Sequence, residues 1–265
     1  MLNMIKLSKR LQTIADLVTD GSRIADIGSD HALLPVYLVQ SGKSPSAVAG
    51  ELPDGPFLAA KKQTAEAGLK SVIQVRQGDG LSVLNPGEVD TVTIAGMGGS
   101  LMADILEAGW RSGKLAGVTE LVLQPNVGED LVRRWLISKG FVLQGEMILE
   151  EDGRIYEVLH AWSASHLKLN HDNEWVYQTS ILSVDMEDET KTEWLYRMGP
   201  YLLRQPSELL TKKWQFELGK LSRICQQLTL SEAEESRGKE AQYRAEMKQI
   251  KEVLACLPTV KPSSS

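Results

Sequence analysis

Acidic, amide and glycine residues follow five apolar runs of this chain, at the points where the runs end. The run endings, with the residues just after them, are Asp26-Ile27-Gly28-Ser29-Asp30-His31, Glu51-Leu52, Gly78-Asp79-Gly80, Ala95-Gly96-Met97-Gly98-Gly99 and Gln124-Pro125-Asn126. Carboxylates and amides hydrogen-bond to hydroxyls and amines, and glycine lets a ligand approach the backbone closely. The pattern predicts a site for a ligand that carries such groups.

Helical patterns alternate with these runs, and this alternation sets the expected architecture. The runs span residues 23–28, 46–51, 72–79, 89–96 and 120–125, and helices are expected at 31–41, 54–68, 99–110 and 128–139. Repeated β-α units predict a parallel sheet with helices on both faces. Because parallel strands end at one edge, all five polar endings are expected at the same ligand crevice.

A different pattern closes this part of the chain. In "GFVLQGEMILEEDGRIYEVLHAWSA", two alternating runs flank Glu151-Asp152-Gly153, which predicts an antiparallel hairpin. A doubly wound sheet that ends in a hairpin is, by fold analogy, typical of class I methyltransferases.

The first ending favours a ligand other than a pyrophosphate. It lacks the GxGxxG pattern, and Asp26 and Asp30 would repel phosphate. Two carboxylates instead suit S-adenosylmethionine, which has a sulfonium, an amine and ribose hydroxyls. Glu51 is placed to accept from the ribose, and Asp79 from an adenine amino group. The alternative is that these acids only cap a helix or solvate turns, with His31 as a local partner of Asp30.

Composition excludes several classes of protein. The 265 residues, 42% hydrophobic and 24% charged, can form one or two domains with a real core. No apolar run is long enough to predict a membrane span, and four scattered histidines and two cysteines without CxxC spacing predict no metal site. We expect a cytoplasmic protein. The net charge of −6 argues against a surface coated with positive charge, although a local basic patch remains compatible.

The pattern changes after about residue 165. Apolar residues recur every three or four positions from Ser207 onward, and Ser231 to Glu234 fits a capping box for a second helix. This predicts a helical hairpin of coiled-coil character. The expected organisation is a catalytic domain at 1–164, a helical domain at 165–258 and a disordered tail at 259–265.

Several segments resemble one known family, the bacterial tRNA (adenine-22-N1)-methyltransferases. The segments occur in order within residues 1–163: "KLSKRLQTIADLV", "ADIGSDHALLP", "AGELPDGPFLAAK", "VRQGDGL", "TIAGMGG", "LQPN" and "EEDGRIYEVL". The resemblance implies a Rossmann-like class I fold, with a seven-stranded, mostly parallel sheet, a C-terminal antiparallel hairpin and an added helical coiled-coil-like domain. It also implies S-adenosylmethionine as cofactor and N1 of adenine 22, in the tRNA D-arm, as acceptor.

The resemblance also assigns site residues. The cofactor-binding set is Asp26, Gly28, Ser29, Asp30, His31, Glu51, Leu52, Gly78, Asp79, Gly80, Ala95, Gly96 and Met97. Asp30, Met97 and Asn126 are expected at the reacting groups, with no general base. N1 of adenine has a free lone pair, so transfer depends mainly on alignment, and a carboxylate such as Asp30 would favour the cationic product. N1 lies on the pairing edge, so the base must leave its stack.

Basic residues are the expected tRNA contacts, through phosphates. Residues 204–251 hold ten Lys or Arg against seven Asp or Glu, and Lys6 joins Lys9 and Arg10 on a basic edge of an expected first helix. The predicted contacts are Lys9, Arg10, Lys212, Lys213, Lys220 and Arg223; alternatively, these are solvated helix faces. No membrane, metal or protein partner is predicted. Two other functions stay open: a methyltransferase acting on another RNA, a protein or a small molecule, and a non-catalytic RNA-binding protein that keeps the fold.

Overall fold

The computed structural model describes residues 4–166, 171–230 and 233–258, and the chain forms two compact units that divide between Val176 and Tyr177. The strands of the first unit are β1 (Ile24–Ile27), β2 (Ala47–Glu51), β3 (Ile73–Gln77), β4 (Thr91–Met97), β5 (Glu120–Pro125), β6 (Phe141–Glu151) and β7 (Arg154–Ser163). Its helices are α1 (Lys9–Leu17), α2 (Leu33–Gln40), α3 (Asp54–Glu66), α4 (Gly99–Arg111), α5 (Glu129–Ser138) and α6 (Asn173–Val176). The second unit contains α7 (Asp188–Met198), α8 (Pro200–Arg204), α9 (Glu208–Thr229) and α10 (Glu234–Cys256).

The seven strands form one sheet in the order β3-β2-β1-β4-β5-β7-β6. The first five strands are parallel to their neighbours, whereas β7 runs antiparallel to both β5 and β6. Asp152 and Gly153 form the two-residue turn between β6 and β7, both with positive φ, as hairpin turns of this length require. The predicted doubly wound sheet with a terminal hairpin is therefore confirmed.

Both faces of the sheet are covered. One apolar cluster contains side chains of α1, α2 and α3 together with Ile24, Ala49 and Val122 of the sheet. The strand residues that alternate with these, such as Ile27 and Leu123, are also buried, and α4 and α5 contact each other and the adjoining strands β4 and β6. Because successive strand residues point to opposite faces, Asp26, Glu51, Thr93 and Gln124 all share the face covered by α1 to α3.

Two helices begin later than the sequence pattern predicts. α1 begins at Lys9 because the Ser8 hydroxyl accepts from the backbone N–H of Leu11, so Lys6 precedes the helix. α2 begins at Leu33 rather than at residue 31, because the backbone of residues 30–32 is left-handed. Both corrections arise from local backbone geometry at the helix start.

The division between the units lies beyond residue 164, where the sequence analysis put the boundary. The short helix α6 belongs to the first unit, and the Asn173 side-chain amide donates to the backbone oxygen of Phe141 in β6. The expected tail at 259–265 lies outside the described residues.

The second unit confirms the predicted helical hairpin. Helices α9 and α10 pack against each other through buried side chains, which are Leu210, Trp214, Leu221 and Cys225 on α9 and Ile250 and Val253 on α10. The Trp194 and Trp214 rings meet edge to face at 5.8 Å, which extends this core to α7. The N-cap of α10 is Ala233, which makes no side-chain cap hydrogen bond, and Ser231 and Glu232 of the expected capping box lie outside the described residues.

A buried carboxylate at the amino end of β5 joins several elements of the first unit. Glu120 accepts from the hydroxyls of Thr19 and Thr91, at 2.7 and 2.6 Å, and lies 2.8 Å from the His160 ring nitrogen. Burial opposes ionisation of Glu120, but these partners outweigh it and hold the pKa of its carboxyl at about 2. The network fixes the end of α1 against β4, β5 and β7.

We predict that Glu120→Gln destabilises the protein in a pH-dependent way. The pKa of Glu120 falls from 4.5 to about 2 on folding, so its ionised form stabilises the fold by about 3 kcal/mol above pH 4.5. This contribution is lost as the pH falls towards 2. Urea unfolding should show a large difference between wild type and variant near neutral pH that shrinks in acid.

Glu66→Gln is the matched control, because Glu66 is an exposed carboxylate in a helical ion pair with Lys62. This control should change the free energy of unfolding little at any pH. An equal difference between wild type and Glu120→Gln at neutral and acidic pH would contradict the assignment.

Candidate active site

The turn after β1 is held by a buried carboxylate. Asp26 is 4% exposed, and its two oxygens accept from the Ser29 and Thr93 hydroxyls, each at 2.6 Å. Burial raises the pKa of Asp26 and the nearby Asp30 charge raises it further, while the two hydroxyls act in the opposite direction. Asp26, predicted to touch the cofactor, is thus placed to fix the turn, with both oxygens already engaged.

Residues 30–32, which follow Ser29 in this turn, form an unusual segment of left-handed backbone. Asp30, His31 and Ala32 have φ values of 43°, 69° and 57°. Left-handed backbone costs an L-residue about 1–2 kcal/mol, and such strain concentrates at functional sites. Ala32 is buried, whereas the Asp30 and His31 side chains are exposed, with the His31 Nε2 atom 3.5 Å from an Asp30 oxygen. The segment presents both polar side chains at the carboxyl edge of the sheet.

Glu51, at the end of β2, has one carboxylate oxygen without a hydrogen-bond partner among the described residues. The side chain is buried, and its Oε1 atom makes no hydrogen bond to any described residue. Burial raises the pKa of Glu51; the backbone N–H of Asp30 lowers it, and the charges of Asp26 and Asp30 raise it again. A buried acceptor that lacks a donor normally has a ligand or water as its partner. Glu51 therefore fits the predicted contact with a ribose hydroxyl.

The end of β3 forms the open side of this edge. The Gly78 N–H donates to the backbone oxygen of Glu51, and the exposed Asp79 lines a cleft of about 480 Å³ between the end of β3 and α4. Leu52 is also exposed, and the Gln77 amide donates to the Leu52 backbone oxygen. Gly80 has φ +50°, and a Cβ there would lie 2.9 Å from an Ile105 methyl group, so packing also requires this glycine.

The ends of β4 and β5 are joined by amide side chains. Gly96 donates its N–H to the Gln124 Oε1 atom at 3.1 Å, and its carbonyl accepts from the Asn126 Nδ2 atom at 2.7 Å. Gln124 in turn donates to the Asn126 Oδ1 atom at 3.1 Å. Gly96 has φ +77°, and the preceding Ala95 is half-buried. The result is a flat rim of backbone and amide groups beside the β1 turn.

Met97 links this rim to the first turn. A Cβ on Gly28, which has φ +70°, would lie 2.3 Å from the Met97 methyl group. The thioether therefore lies directly on the Gly28 backbone, and the endings of β1 and β4 meet there. The five endings expected at one edge come together at the ends of adjacent strands.

The Arg10 side chain contacts the rim, and its predicted contact with RNA stays a prediction. Its guanidinium donates to the Gln124 Oε1 atom at 2.6 Å and lies 5.4 Å from the centre of the Tyr156 ring. Its backbone N–H donates to Glu151 at the end of β6. Lys9 does lie on the surface, where it donates to the Glu150 backbone oxygen. The structure thus brings Arg10 into the rim, a position that no local sequence signal indicated.

The remaining predicted RNA contacts lie on α9, in the second unit. Lys220 pairs with Glu217 one turn away, the Arg223 Nε atom donates to the backbone of Gly219, and the Lys212 ammonium lies 5.9 Å from the centre of the Phe216 ring. Lys213 belongs to the same helix. Contact of these residues and of Lys9 with tRNA stays a prediction.

Sequence reasoning also missed Thr93 and Gln77. Thr93 holds Asp26, and a signal was available, because Thr91 and Thr93 alternate within a buried strand and must therefore face the same side. Gln77 donates to both Leu52 and Asp54 and so shapes the turn after β2. In the described part of the chain, no three His, Cys, Asp or Glu side chains are grouped to hold a metal ion.

We predict that Glu51→Gln makes the ligand-free protein more stable near neutral pH. A carboxyl whose pKa is raised on folding destabilises the fold wherever it is ionised, so removing the charge should raise the free energy of unfolding of the ligand-free protein at pH 7. The gain should fade as the pH drops through the raised pKa. Denaturant unfolding at about pH 7 and about pH 4 measures the effect.

Asp26→Asn is the matched comparison for this experiment. Both Asp26 oxygens accept from hydroxyls, so the amide would leave a donor facing Ser29 or Thr93, and we expect a loss of stability. A less stable Glu51→Gln at neutral pH would show that the Glu51 carboxylate supports the fold.

Comparison with known proteins agrees with this geometry over most of the chain. Residues 7–159 match a methyltransferase domain family, and residues 160–252 match the family described as tRNA (adenine(22)-N(1))-methyltransferase. The tRNA (adenine(22)-N(1))-methyltransferase of Bacillus subtilis is 43% identical over 254 residues, which cover 96% of this chain and 99% of that protein.

Solved structures give the same result. The crystal structure of the B. subtilis m1A22 tRNA methyltransferase has a TM-score of 0.81, with 42% identity, and the comparison covers 94% of this chain and 99% of that one. A Streptococcus pneumoniae protein described as a putative tRNA (m1A22) methyltransferase, solved with S-adenosyl-L-methionine, has a TM-score of 0.73 at 38% identity, covering 92% and 99% of the two chains. The chain belongs to the tRNA (adenine(22)-N(1))-methyltransferase family.

Proposed function

We propose that this protein transfers a methyl group from S-adenosylmethionine to N1 of adenine 22 in tRNA. The observation that carries the proposal is the buried, unpartnered Oε1 atom of Glu51 at the ligand edge, in a chain 43% identical to a tRNA (adenine(22)-N(1))-methyltransferase over nearly its full length. The orphan acceptor fits a ribose hydroxyl, and the adjoining acids fit a cationic ligand.

The cofactor is assigned to the edge formed by β1, β2 and β3. S-adenosylmethionine, when bound, supplies an electrophilic methyl group on a sulfonium. Glu51 would accept from the ribose, and the exposed Asp79 and Leu52 at the ends of β3 and β2 would hold the adenine. The remaining cofactor contacts are assigned to residues of the rim and the turns: Gly28, Ser29, His31, Gly78, Gly80, Ala95, Gly96 and Met97. Asp26 would act through the turn that it fixes.

The acceptor base is assigned to the rim formed by Gly96, Gln124 and Asn126. N1 of neutral adenine has a free lone pair, so the protein needs no general base and acts by holding the reacting atoms in line. Positive charge moves onto the base as the methyl arrives, and the exposed Asp30 carboxylate would stabilise that charge. Asn126, whose Oδ1 already accepts from Gln124, would orient the base.

The tRNA backbone is assigned to basic residues outside this edge. Lys212, Lys213, Lys220 and Arg223 on α9, with Lys9 on α1, are the proposed phosphate contacts. Arg10 would serve the acceptor rim rather than a phosphate, because Gln124 and Tyr156 already engage its side chain. None of the described helices is long and apolar enough to cross a membrane; a cytoplasmic location remains a prediction.

Methylation of unmodified tRNA transcripts tests the function directly. We expect 1-methyladenosine after digestion, and its loss when adenine 22 alone is replaced. Methylation of another RNA, a protein or a small molecule instead would support the second function. Binding of tRNA without any transfer would support the non-catalytic alternative.

We predict that Asp30→Asn lowers turnover at saturating cofactor by about tenfold, because the carboxylate acts mainly on charge that develops in the transition state. The affinity for tRNA should change little. Single-turnover rates and tRNA binding, measured on the same preparations, check this prediction.

Asp20→Asn is the matched control, because Asp20 is an exposed carboxylate that precedes β1, away from the carboxyl ends of the strands. This variant should turn over like wild type. If Asp30→Asn also does so once cofactor is saturating, Asp30 is a binding residue only. A solvent isotope effect on the transfer step that vanishes in Asp30→Asn would instead make it a proton acceptor.

A further inference from the structure

Two large apolar side chains stand exposed beside the acceptor rim. Val127 follows Asn126 directly and is 67% exposed, and Leu131 in the first turn of α5 is 42% exposed. A Cβ on Gly128 would lie 3.6 Å from a Leu131 methyl group, so the leucine side chain packs beside Gly128, the residue that follows Val127. We refer to Val127 and Leu131 as the apolar pair.

The backbone that carries the apolar pair is fixed from both sides. The Asn126 N–H donates to the Met97 carbonyl, and the Gly99 N–H donates to the Val127 carbonyl, each at 2.7 Å. A Cβ on Gly99 would lie 2.0 Å from the Gly128 oxygen, so the starts of α4 and α5 touch through backbone alone. Single exposed apolar residues are ordinary on protein surfaces. Here two such residues lie four positions apart, on backbone that these hydrogen bonds hold beside the rim.

The charges around the pair restrict what it can contact. Glu129 and Asp130 occupy the first turn of α5 and lie between Val127 and Leu131 in the sequence. Their carboxylates disfavour an approaching phosphate, although they are favourable at a helix start. A nucleic acid would therefore meet this surface through uncharged base or sugar faces.

Methylation at N1 creates a need for such a contact. N1 lies on the pairing edge, so the adenine must leave its stack, and its neighbours lose stacking when it does. Proteins that open nucleic acids commonly insert rigid apolar side chains between bases at the opened step. We propose that the apolar pair contacts the nucleotides that flank adenine 22 and occupies the space the adenine vacates. This inference rests on the proposed function.

The test compares Val127→Ala/Leu131→Ala with the control Leu58→Ala. Leu58 is 61% exposed, close to the exposure of Val127, but lies on α3, which packs at the β2 and β3 side of the sheet. Each protein is mixed with tRNA carrying 2-aminopurine at position 22, whose fluorescence rises when the base unstacks. Wild type and control should give the full rise, and the double variant a clearly smaller one.

Kinetics supply the second readout. With normal tRNA, the double variant should lose about tenfold in kcat/KM, the scale expected for a few lost apolar contacts, while its affinity for S-adenosylhomocysteine stays at the wild-type value. A tRNA with an abasic site opposite adenine 22 needs less opening, so most of the defect should disappear on that substrate.

Two results would overturn the inference. One is a double variant that opens and methylates normal tRNA like wild type, which would leave the pair for another partner, such as a protein. The other is an equal defect on normal and abasic tRNA together with weakened S-adenosylhomocysteine binding, which would mean that the pair only supports the cofactor site. Failure of the wild type to methylate tRNA would refute the proposed function, and this outcome is distinct from both.

Discussion

The buried carboxylate of Asp26 is the interaction on which the ligand edge depends. An isolated buried carboxylate is strongly unfavourable, so it must be hydrogen-bonded. The hydroxyls of Ser29 and Thr93 meet this need, and in doing so they join the turn after β1 to the neighbouring strand β4. Because the turn is fixed, the Gly28 backbone can lie against Met97, and the two central strands end in a defined relation.

The two ends of the sheet hold their buried carboxylates in opposite environments. At the amino end, Glu120 is supplied with donors from several elements and its pKa falls to about 2. At the carboxyl end, Glu51 keeps an unpartnered oxygen and the pKa values of Glu51 and Asp26 are raised. The first arrangement stabilises the fold, whereas the ionised, unpartnered Glu51 opposes it until a ligand that donates to Glu51 is present. Left-handed backbone in residues 30–32 adds to that local cost.

The rim proposed to receive the acceptor base is built differently. It consists of uncharged backbone and amide groups, and the Arg10 guanidinium donates to one of these amides. Arg10 orients Gln124, Gln124 orients Asn126, and both amides hold the Gly96 peptide between them. Such a surface suits a planar, neutral base, and the acids that would favour a cationic product lie across the Gly28–Met97 contact. The proposal therefore assigns the cofactor mainly to the ends of β1, β2 and β3, and the acceptor base to the adjacent ends of β4 and β5.

The sequence by itself determined the architecture and much of the ligand edge. Apolar runs with polar endings, and the turn residues at Asp152 and Gly153, were sufficient because strand period and turn chemistry are local properties. The same pattern predicted that Glu51 and Asp79 lie at one edge of the sheet, because parallel strands place their carboxyl ends together. Only the tertiary structure decided which polar groups are already engaged. Thr93, which donates to Asp26, and Gln124, which accepts from Arg10, lie 67 and 114 residues from those partners along the chain. A left-handed segment of three non-glycine residues is stable only when surrounding contacts impose it. Side-chain direction and long-range pairing are not encoded in local patterns, which is why the contact between Arg10 and Gln124 could not be predicted from the sequence.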